Sequence, residues 1–365
     1  MLYRAIGLMS GSSLDGLDIA FVEFHETAGQ WSYTLEYVET IAYTKDWNNR
    51  LKNAAQLSVY DYHLLHTEYG CWIAEQVNMF IDKHHLQHQV QLISSHGHTV
   101  LHNPAAGVTA QIGSGADIAV GTGINVVSDL RVMDVALGGQ GAPIVPKGEQ
   151  LLFAQYNYWL NIGGIANITI KNNNTYKAFD VCSANRVLNA LAAKKNLDMD
   201  IDGALAAKGT CCQALLDALN SQSYYQQPPP KSLANEFATD VLLPIIESFN
   251  ISIEDALHTY VQHIIFQLRN SIAYMGGSYE NQQRSLFITG GGALNTYLIQ
   301  QLQHQLSSLR IEVIVPDKAT IQYKEALIMA LLGILRWREE NTTMATVTGA
   351  RRNSIGGAVW IGQEA

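Results

Sequence analysis

Two stretches of the chain repeat one pattern: an apolar run, a glycine-rich turn and a second apolar run. They are YRAIGLMSGSSLDGLDIAFVEF at 3–24 and YNYWLNIGGIANITI at 156–170. Each reads as strand, hairpin, strand. The echo is weak in residue identity but clear in pattern, and it makes the chain two similar lobes in series. A length of 365 residues is comfortable for two domains. Two facing lobes leave a cleft, and domain interfaces are where ligand sites usually form.

The remaining pattern fits an α/β protein. In the first half, strands are expected at Tyr3–Met9, Leu17–Phe24 and Trp31–Tyr43, joined as an antiparallel meander. A long helix over Ser58–His84 follows. Then come a buried strand at Val90–Ser94 ending at SSHGHT, a helix at Ala116–Thr122 and a strand at Ile124–Val127. The second half restarts with strands at Tyr156–Leu160, Ile165–Ile170 and Tyr176–Phe179 and a helix at Ala184–Lys195. A strand at Leu286–Thr289 leads later into a helix at Thr296–Leu306. Helices layered on sheets in this order define the class.

Composition works by exclusion. Hydrophobic residues at 47% and charged residues at 15% describe a large core. A net charge of -9 and a pI near 5.7 argue against nonspecific nucleic-acid binding. No signal peptide is recognisable, and the apolar run within Glu325–Trp337 is too short to span a bilayer. Cys71, Cys182, Cys211 and Cys212 form no CxxC pair, which argues against a disulfide framework or a zinc site. The expectation is a soluble, cytoplasmic protein with neither nucleic-acid nor membrane partners.

The glycine turns are the candidate ligand cradles. In Gly11–Asp18 (GSSLDGLD), Gly11 and Gly16 admit a ligand to the main chain, and Ser12 and Ser13 offer hydroxyls. Backbone amides in such a turn, which includes Leu14 and Leu17, form an anion-binding concavity. Asp15 and Asp18 suit Mg²⁺ rather than phosphate; an ordinary Asp-Gly hairpin accounts for the same residues equally well. The turn Asn161–Asn167 adds Gly163, Gly164 and the amide side chains of Asn161 and Asn167. Two such hairpins suggest clamps on one polyphosphate. In ITGGGALN, Gly290, Gly291 and Gly292 precede a helix start that can hold a phosphate or a nucleoside. Neither GxxxxGK[ST] nor GxGxxG occurs.

Asp180, in AFDVCSAN, ends a strand and is placed either to take a proton or to cap the next helix. Glu325 favours a helix dipole or binds sugar hydroxyls. For His96 and His98, hydrogen bonding to a polar substrate outweighs a metal pair. In DLRVMDVALGGQGAPIVP, Arg131 offers a fork for a carboxylate, and Asp134 and Gln140 can bind hydroxyl or amide groups; a structured linker is the plainer alternative. Lys231, in PPPKS, has no role legible from the residues.

Taken together, GLMSGSSLDGLD, SSHGHTVLHNP, QIGSGADIA, DLRVMDVALGGQGAPIVP, LNIGGIANIT, AFDVCSANRVLN, DGALAAKG, PPPKSLANEF, ITGGGALN and YKEALIMALLG closely resemble the anhydro-N-acetylmuramic acid kinases, in order over nearly the whole chain. The resemblance implies two actin-like (ribonuclease H-like) lobes with a central cleft, the acetate and sugar kinase/Hsc70/actin fold. The N-terminal lobe is expected at 1–130 plus 340–365 and the C-terminal lobe at 131–339. It implies that ATP, with Mg²⁺, phosphorylates O6 of 1,6-anhydro-N-acetylmuramic acid as the ring opens, in cell-wall recycling. By motif, Gly11–Asp18 and Asn161–Asn167 would hold phosphates, with Asp15 near Mg²⁺ and Gly290–Gly292 near adenosine. Asp180 would be the base. His96, Arg131, Asp134, Gln140, Gly141 and Glu325 would line the sugar site. A homodimer is left open. Two departures stand out: Ser12 replaces a common threonine, and DVCSAN replaces Asp-Thr-Gly-Pro-Gly-Asn. Alternatives are a same-fold kinase for another sugar or acyl substrate, and a non-catalytic nucleotide or sugar sensor.

Overall fold

An antiparallel meander opens each half of the computed structural model, which describes residues 1–11, 14–173, 175–229, 231–234, 236–275 and 283–362. In the first half β1 (Leu2–Ser10), β2 (Gly16–Thr27) and β3 (Gln30–Ala42) pair in sequence. β4 (Leu92–Asn103) lies parallel to β1, β5 (Val108–Ile112) folds back on β4, and β6 (Val126–Ser128) adds parallel to β4. In the second half β7 (Tyr158–Ile162), β8 (Ile165–Asn172) and β9 (Thr175–Ser183) repeat the meander. β10 (Arg284–Thr289) lies parallel to β7, and β11 (Ile311–Ile314) parallel to β10. β12 (Ala358–Trp360) returns to the first sheet, antiparallel to β6.

The strand orders are β12-β6-β4-β1-β2-β3 and β11-β10-β7-β8-β9. Read from each meander outward, both sheets run third, second, first, then two parallel additions, and the first sheet ends in the antiparallel β12. Two mixed sheets of one topology give the α/β class and the repeated ribonuclease H-like order expected. Among the described residues no helix is long and apolar enough to cross a membrane.

The first sheet is covered by the helix Val59–Lys83, whose Leu65, Tyr69, Ile73, Val77 and Phe80 recur at helical spacing and pack on Ile6, Leu8, Leu17 and Ile19. Ser58 caps it, its hydroxyl accepting from the Asp61 amide. The second sheet buries Tyr158, Leu160 and Ile162 against the helix Ile253–Met275. That helix is absent from the sequence reading. His263 and Gln267 interrupt its apolar face and are satisfied internally, both by Asn220 and His263 also by Tyr225.

The two compact units are Met1–Ala154 with Tyr323–Ala365, and Gln155–Gln322. Residues 131–154 and 323–339, expected in the C-terminal lobe, fold instead with the first sheet. Close packing is the reason. A Cβ built on Gly7 of β1 would stand 1.8 Å from the carbonyl oxygen of Ala326 and 2.7 Å from the amide nitrogen of Ala330, so the helix Lys318–Trp337 lies directly on the strand. The buried ion pair Lys324–Glu149, at 2.8 Å, ties the helix Val145–Leu152 to the same helix.

A second difference concerns SSHGHT. It is not a turn after the strand but the middle of β4, with Gly97 at φ 69° where a Cβ would meet the Ile112 carbonyl at 2.6 Å. His96 and His98 therefore project from a strand.

Because backbone atoms border Gly7, no rotamer change can make room. Gly7→Ala should lower unfolding free energy in urea by about 1–3 kcal/mol or more. An unchanged midpoint would show that the helix shifts freely.

Candidate active site

The first unit gathers one group of predicted residues. Asp18 lies on β2 with Thr40 opposite it on β3, and the Thr40 hydroxyl donates to its carboxylate at 2.6 Å and lies 3.2 Å from the Tyr323 hydroxyl. Burial pushes the Asp18 carboxyl up to about 6; the Thr40 hydrogen bond opposes, and the carboxylates of Glu325 and Asp15 add to the rise. Asp15 itself is exposed. Gly16 is fixed by packing, since a Cβ would meet the Ile41 carbonyl at 2.5 Å, and the Leu17 side chain is in the core. Gly11 accepts a turn hydrogen bond from Leu14, which takes φ 59°. Ser12 and Ser13 lie outside the described residues.

Arg131 is the hub of this group. Its Nε donates to His96 Nε2 at 2.9 Å and its Nη1 to the Gly141 carbonyl at 3.1 Å. An arginine can only donate, so His96 Nε2 accepts. The His96 proton is then on Nδ1, which donates to the Gly97 carbonyl at 2.8 Å. Burial, with the Arg131 charge, holds His96 down to about 3, so the ring is neutral. Burial lowers Arg131 itself to about 10, opposed by the Glu325 charge. Burial raises the Glu325 carboxyl, with Lys324 and Arg131 opposing. His96, Arg131 and Glu325, distant in sequence, thus form one electrostatic cluster.

Three predicted residues stand apart. Asp134 is fully buried; its oxygens accept from the Gly141 amide at 2.8 Å and the Thr348 hydroxyl at 2.7 Å. It shapes the loop that carries Gly141 rather than presenting a free carboxylate. Gln140 keeps an exposed side chain, its amide bonded to the Thr348 carbonyl. His98 is taken up by the Ser10 hydroxyl at 3.0 Å, in a buried network with Tyr43 and Tyr69. No group of three or more His, Cys, Asp or Glu poised for a metal occurs among the described residues.

The second unit sets out its group as a row. Thr289 of β10 pairs with Asn161 of β7, Asn161 with Asn167 of β8, and Asn167 with Asp180 of β9. Residues in register share a face, here the face opposite Leu160 and Ile168. The Thr289 hydroxyl, buried, has no hydrogen-bond partner among the described residues. The Asp180 carboxylate accepts from the Leu233 amide at 2.9 Å, its amide donates to the Lys231 carbonyl, and its carbonyl accepts from the Tyr224 hydroxyl at 2.6 Å. Burial raises its carboxyl, against the Leu233 hydrogen bond.

The turn between β7 and β8 is gripped from behind. Amides of Ala184 and Asn185 donate to the carbonyls of Gly164 and Gly163, and Asn185 Nδ2 donates to the Ile162 carbonyl. A Cβ on Gly163 or Gly164 would meet nothing closer than 3.6 or 3.7 Å, so packing does not require glycine at either position. Gly290 and Gly292 are the converse: a Cβ would stand 2.4 Å from Asn161 Oδ1 and 2.2 Å from Ile162 Cγ2. Gly291 is open, with Asn185 Nδ2 at 3.6 Å. The glycine-rich turn after β10 is thereby seated on the hairpin. Val181, Cys182 and Ala184, which replace smaller or polar residues of the family pattern, are all in the core.

Thr289, Thr40, Tyr323 and Tyr224 escaped the sequence reading. Thr289 alone carried a signal, since it precedes three glycines at a strand end.

In the second unit a hairpin with open glycines stands beside a strand-borne carboxylate; in the first, a part-buried arginine fork is held by His96 and Gly141. A family model described as Anhydro-N-acetylmuramic acid kinase matches residues 3–362. Curated relatives of that name in Hydrogenovibrio crunogenus and Shewanella amazonensis are 34% and 35% identical, each alignment covering 97% of both chains. A solved structure, the activator of the 2-hydroxyisocaproyl-CoA dehydratase from Clostridium difficile with bound ADPNP, aligns over 92% of this chain and 96% of its own. Its TM-score of 0.43 and 14% identity are too loose to carry weight. The chain belongs to the anhydro-N-acetylmuramic acid kinase family.

Two expectations test these geometries. The Asp18 pKa is higher folded than unfolded, so its charge destabilises the fold increasingly from about pH 4 to 6. Asp18→Asn should therefore gain about 2–3 kcal/mol in urea unfolding at pH 8 and nearly nothing at pH 4. Equal gains at both would exclude a charge effect. His96 and His98 work oppositely: stability present above about 6.5 is lost as the pH falls towards 3–4. Separately, Gly163→Ala should keep wild-type stability within about 1 kcal/mol. Gly292→Ala should unfold at clearly lower urea; similar midpoints would contradict the division into open and packed glycines.

Proposed function

We propose that this kinase uses ATP to phosphorylate O6 of 1,6-anhydro-N-acetylmuramic acid while water opens the anhydro ring. The products are N-acetylmuramic acid 6-phosphate and ADP. The observation that carries the reading is the Thr289–Asn161–Asn167–Asp180 row beside the Gly163–Gly164 turn. It supports a base and a nucleotide cradle on one face.

Asp180 is the base. It takes a proton from water as the water oxygen bonds to the anomeric carbon. The bond from that carbon to O6 breaks, O6 bonds to the γ-phosphorus, and the bond to the departing ADP oxygen breaks. The burial that raises the Asp180 pKa strengthens it as a base, and the Leu233 amide fixes its orientation. Arg131 suits the substrate's carboxylate: two of its nitrogens are engaged, and Nη2 has no hydrogen bond among the described residues. Glu325 accepts from sugar hydroxyls. The Gly163–Gly164 and Gly11–Asp18 turns take phosphates.

Asp15 and Asp18 are hard oxygen donors of the type Mg²⁺ takes; burial is the main cause of the raised Asp18 pKa, and the Glu325 and Asp15 charges that add to it are ones a cation would offset. When bound, Mg²⁺ neutralises charge on the phosphates. An intact carboxylate base favours this reading over a non-catalytic sensor, and the Arg131 fork favours it over a neutral sugar.

The direct experiment is ADP release from Mg·ATP with 1,6-anhydro-N-acetylmuramic acid, with N-acetylglucosamine and acetate in parallel. ADP with the anhydrosugar alone, and a 6-phosphorylated reducing sugar, is expected. ADP with acetate or N-acetylglucosamine instead would favour the other-substrate alternative. Asp180→Asn should bind both substrates but lose turnover by about 10²–10⁴-fold. The wild-type rate should rise with pH on a limb above the ordinary carboxylate value. Turnover within a few-fold of wild type would remove Asp180 from the role of base.

A further inference from the structure

The Gly163–Gly164 turn is flanked by a cation that has no counter-ion among the described residues. Arg186 follows Asn185 at the start of the helix Asn185–Ala193. A Cβ built on Gly164 would stand 3.7 Å from Arg186 Nε and 3.8 Å from Nη2, so the guanidinium runs along the turn. Among the described residues no carboxylate pairs with it, and its buried Nε has no hydrogen-bond acceptor. A charged donor left unsatisfied in the interior bears its desolvation cost in full. Such a group makes sense where the acceptor comes from outside the chain.

The helix start cannot supply that acceptor's partner instead. The amides of Ala184, Asn185 and Arg186 are all directed at the Gly163 and Gly164 carbonyls. The backbone donors that often hold an anion at a helix start are consumed in fixing the turn. Positive charge on this side of the hairpin therefore resides in the guanidinium, whose planar fork matches two oxygens of a phosphate.

We propose that Arg186 is a phosphate-binding residue, its Nε and Nη2 taking oxygens of the nucleotide's phosphate chain at the Gly163–Gly164 turn. This assignment rests on the reading of that turn as a phosphate loop. The test is titration calorimetry of wild type, Arg186→Gln and Arg186→Lys with Mg·ADP and a non-hydrolysable Mg·ATP analogue. Adenosine serves as the phosphate-free probe. Arg186→Gln should bind at least one phosphorylated ligand about ten- to a hundredfold more weakly, with adenosine affinity within about twofold. Arg186→Lys, a point charge without the fork, should fall between. Arg186→Met, which keeps the packing of the stem, is the variant read if the glutamine does not fold. Affinity for both phosphorylated ligands within twofold of wild type overturns the assignment to Arg186 and leaves the phosphate loop standing. Equal losses for adenosine also overturn it, as a structural effect. Wild type that binds neither ligand overturns the loop reading and this assignment with it.

Discussion

The first unit depends on the contact between a strand and a helix at Gly7. With no side chain there, the backbone of Lys318–Trp337 lies on β1 at a distance that any Cβ would forbid. The same helix carries Tyr323, beside Thr40 of β3, and Glu325. It gives Glu325 the electrostatic company of Asp18 and Arg131. Charges separated by hundreds of residues then interact at reduced dielectric, where pairs weigh far more than in water. The buried Lys324–Glu149 pair is a second anchor of the same helix.

Much of this was legible. Alternation in Leu17–Phe24 and Trp31–Tyr43, and apolar runs around the glycine-rich turns, located the two meanders, because a strand that buries one face shows it in its pattern. The glycine turns, Asp180 and the Arg131 segment were legible from residue type, and their order along the chain carried the family resemblance. What was not legible has physical causes. The helix Ile253–Met275 places Thr259, His263 and Gln267 on its buried face, so its periodicity reads as broken. The unit boundary falls inside the helix Lys318–Trp337, where composition does not change. Asp134 looked like a ligand group because a sequence cannot tell a carboxylate that faces a substrate from one satisfied by its own loop.

The glycines make the same point at finer scale. Gly163 and Gly290 are equally conspicuous in the sequence. One borders open space and the other a wall of its own protein. Glycine frequency therefore locates turns, whereas only the surroundings separate a turn that admits a ligand from one that admits a neighbouring strand. The DVCSAN segment behaves likewise. Its departures from the family pattern lie in the core, so they bear on packing, and Cys182 is also within electrostatic reach of Asp180.

The segment around Tyr224–Leu233 carries one more implication. Among the described residues β9 is the last strand of its sheet and pairs on one side only, with β8. Its outer side would offer main-chain donors and acceptors to any passing strand. At Asp180 those groups are already occupied, the amide by the Lys231 carbonyl and the carbonyl by the Tyr224 hydroxyl. The residues that hold Asp180, the proposed base, also cap the sheet's open edge. Loosening this segment would thus expose an adhesive strand as well as misaim a carboxylate, coupling the protein's solubility to its chemistry through one stretch of chain.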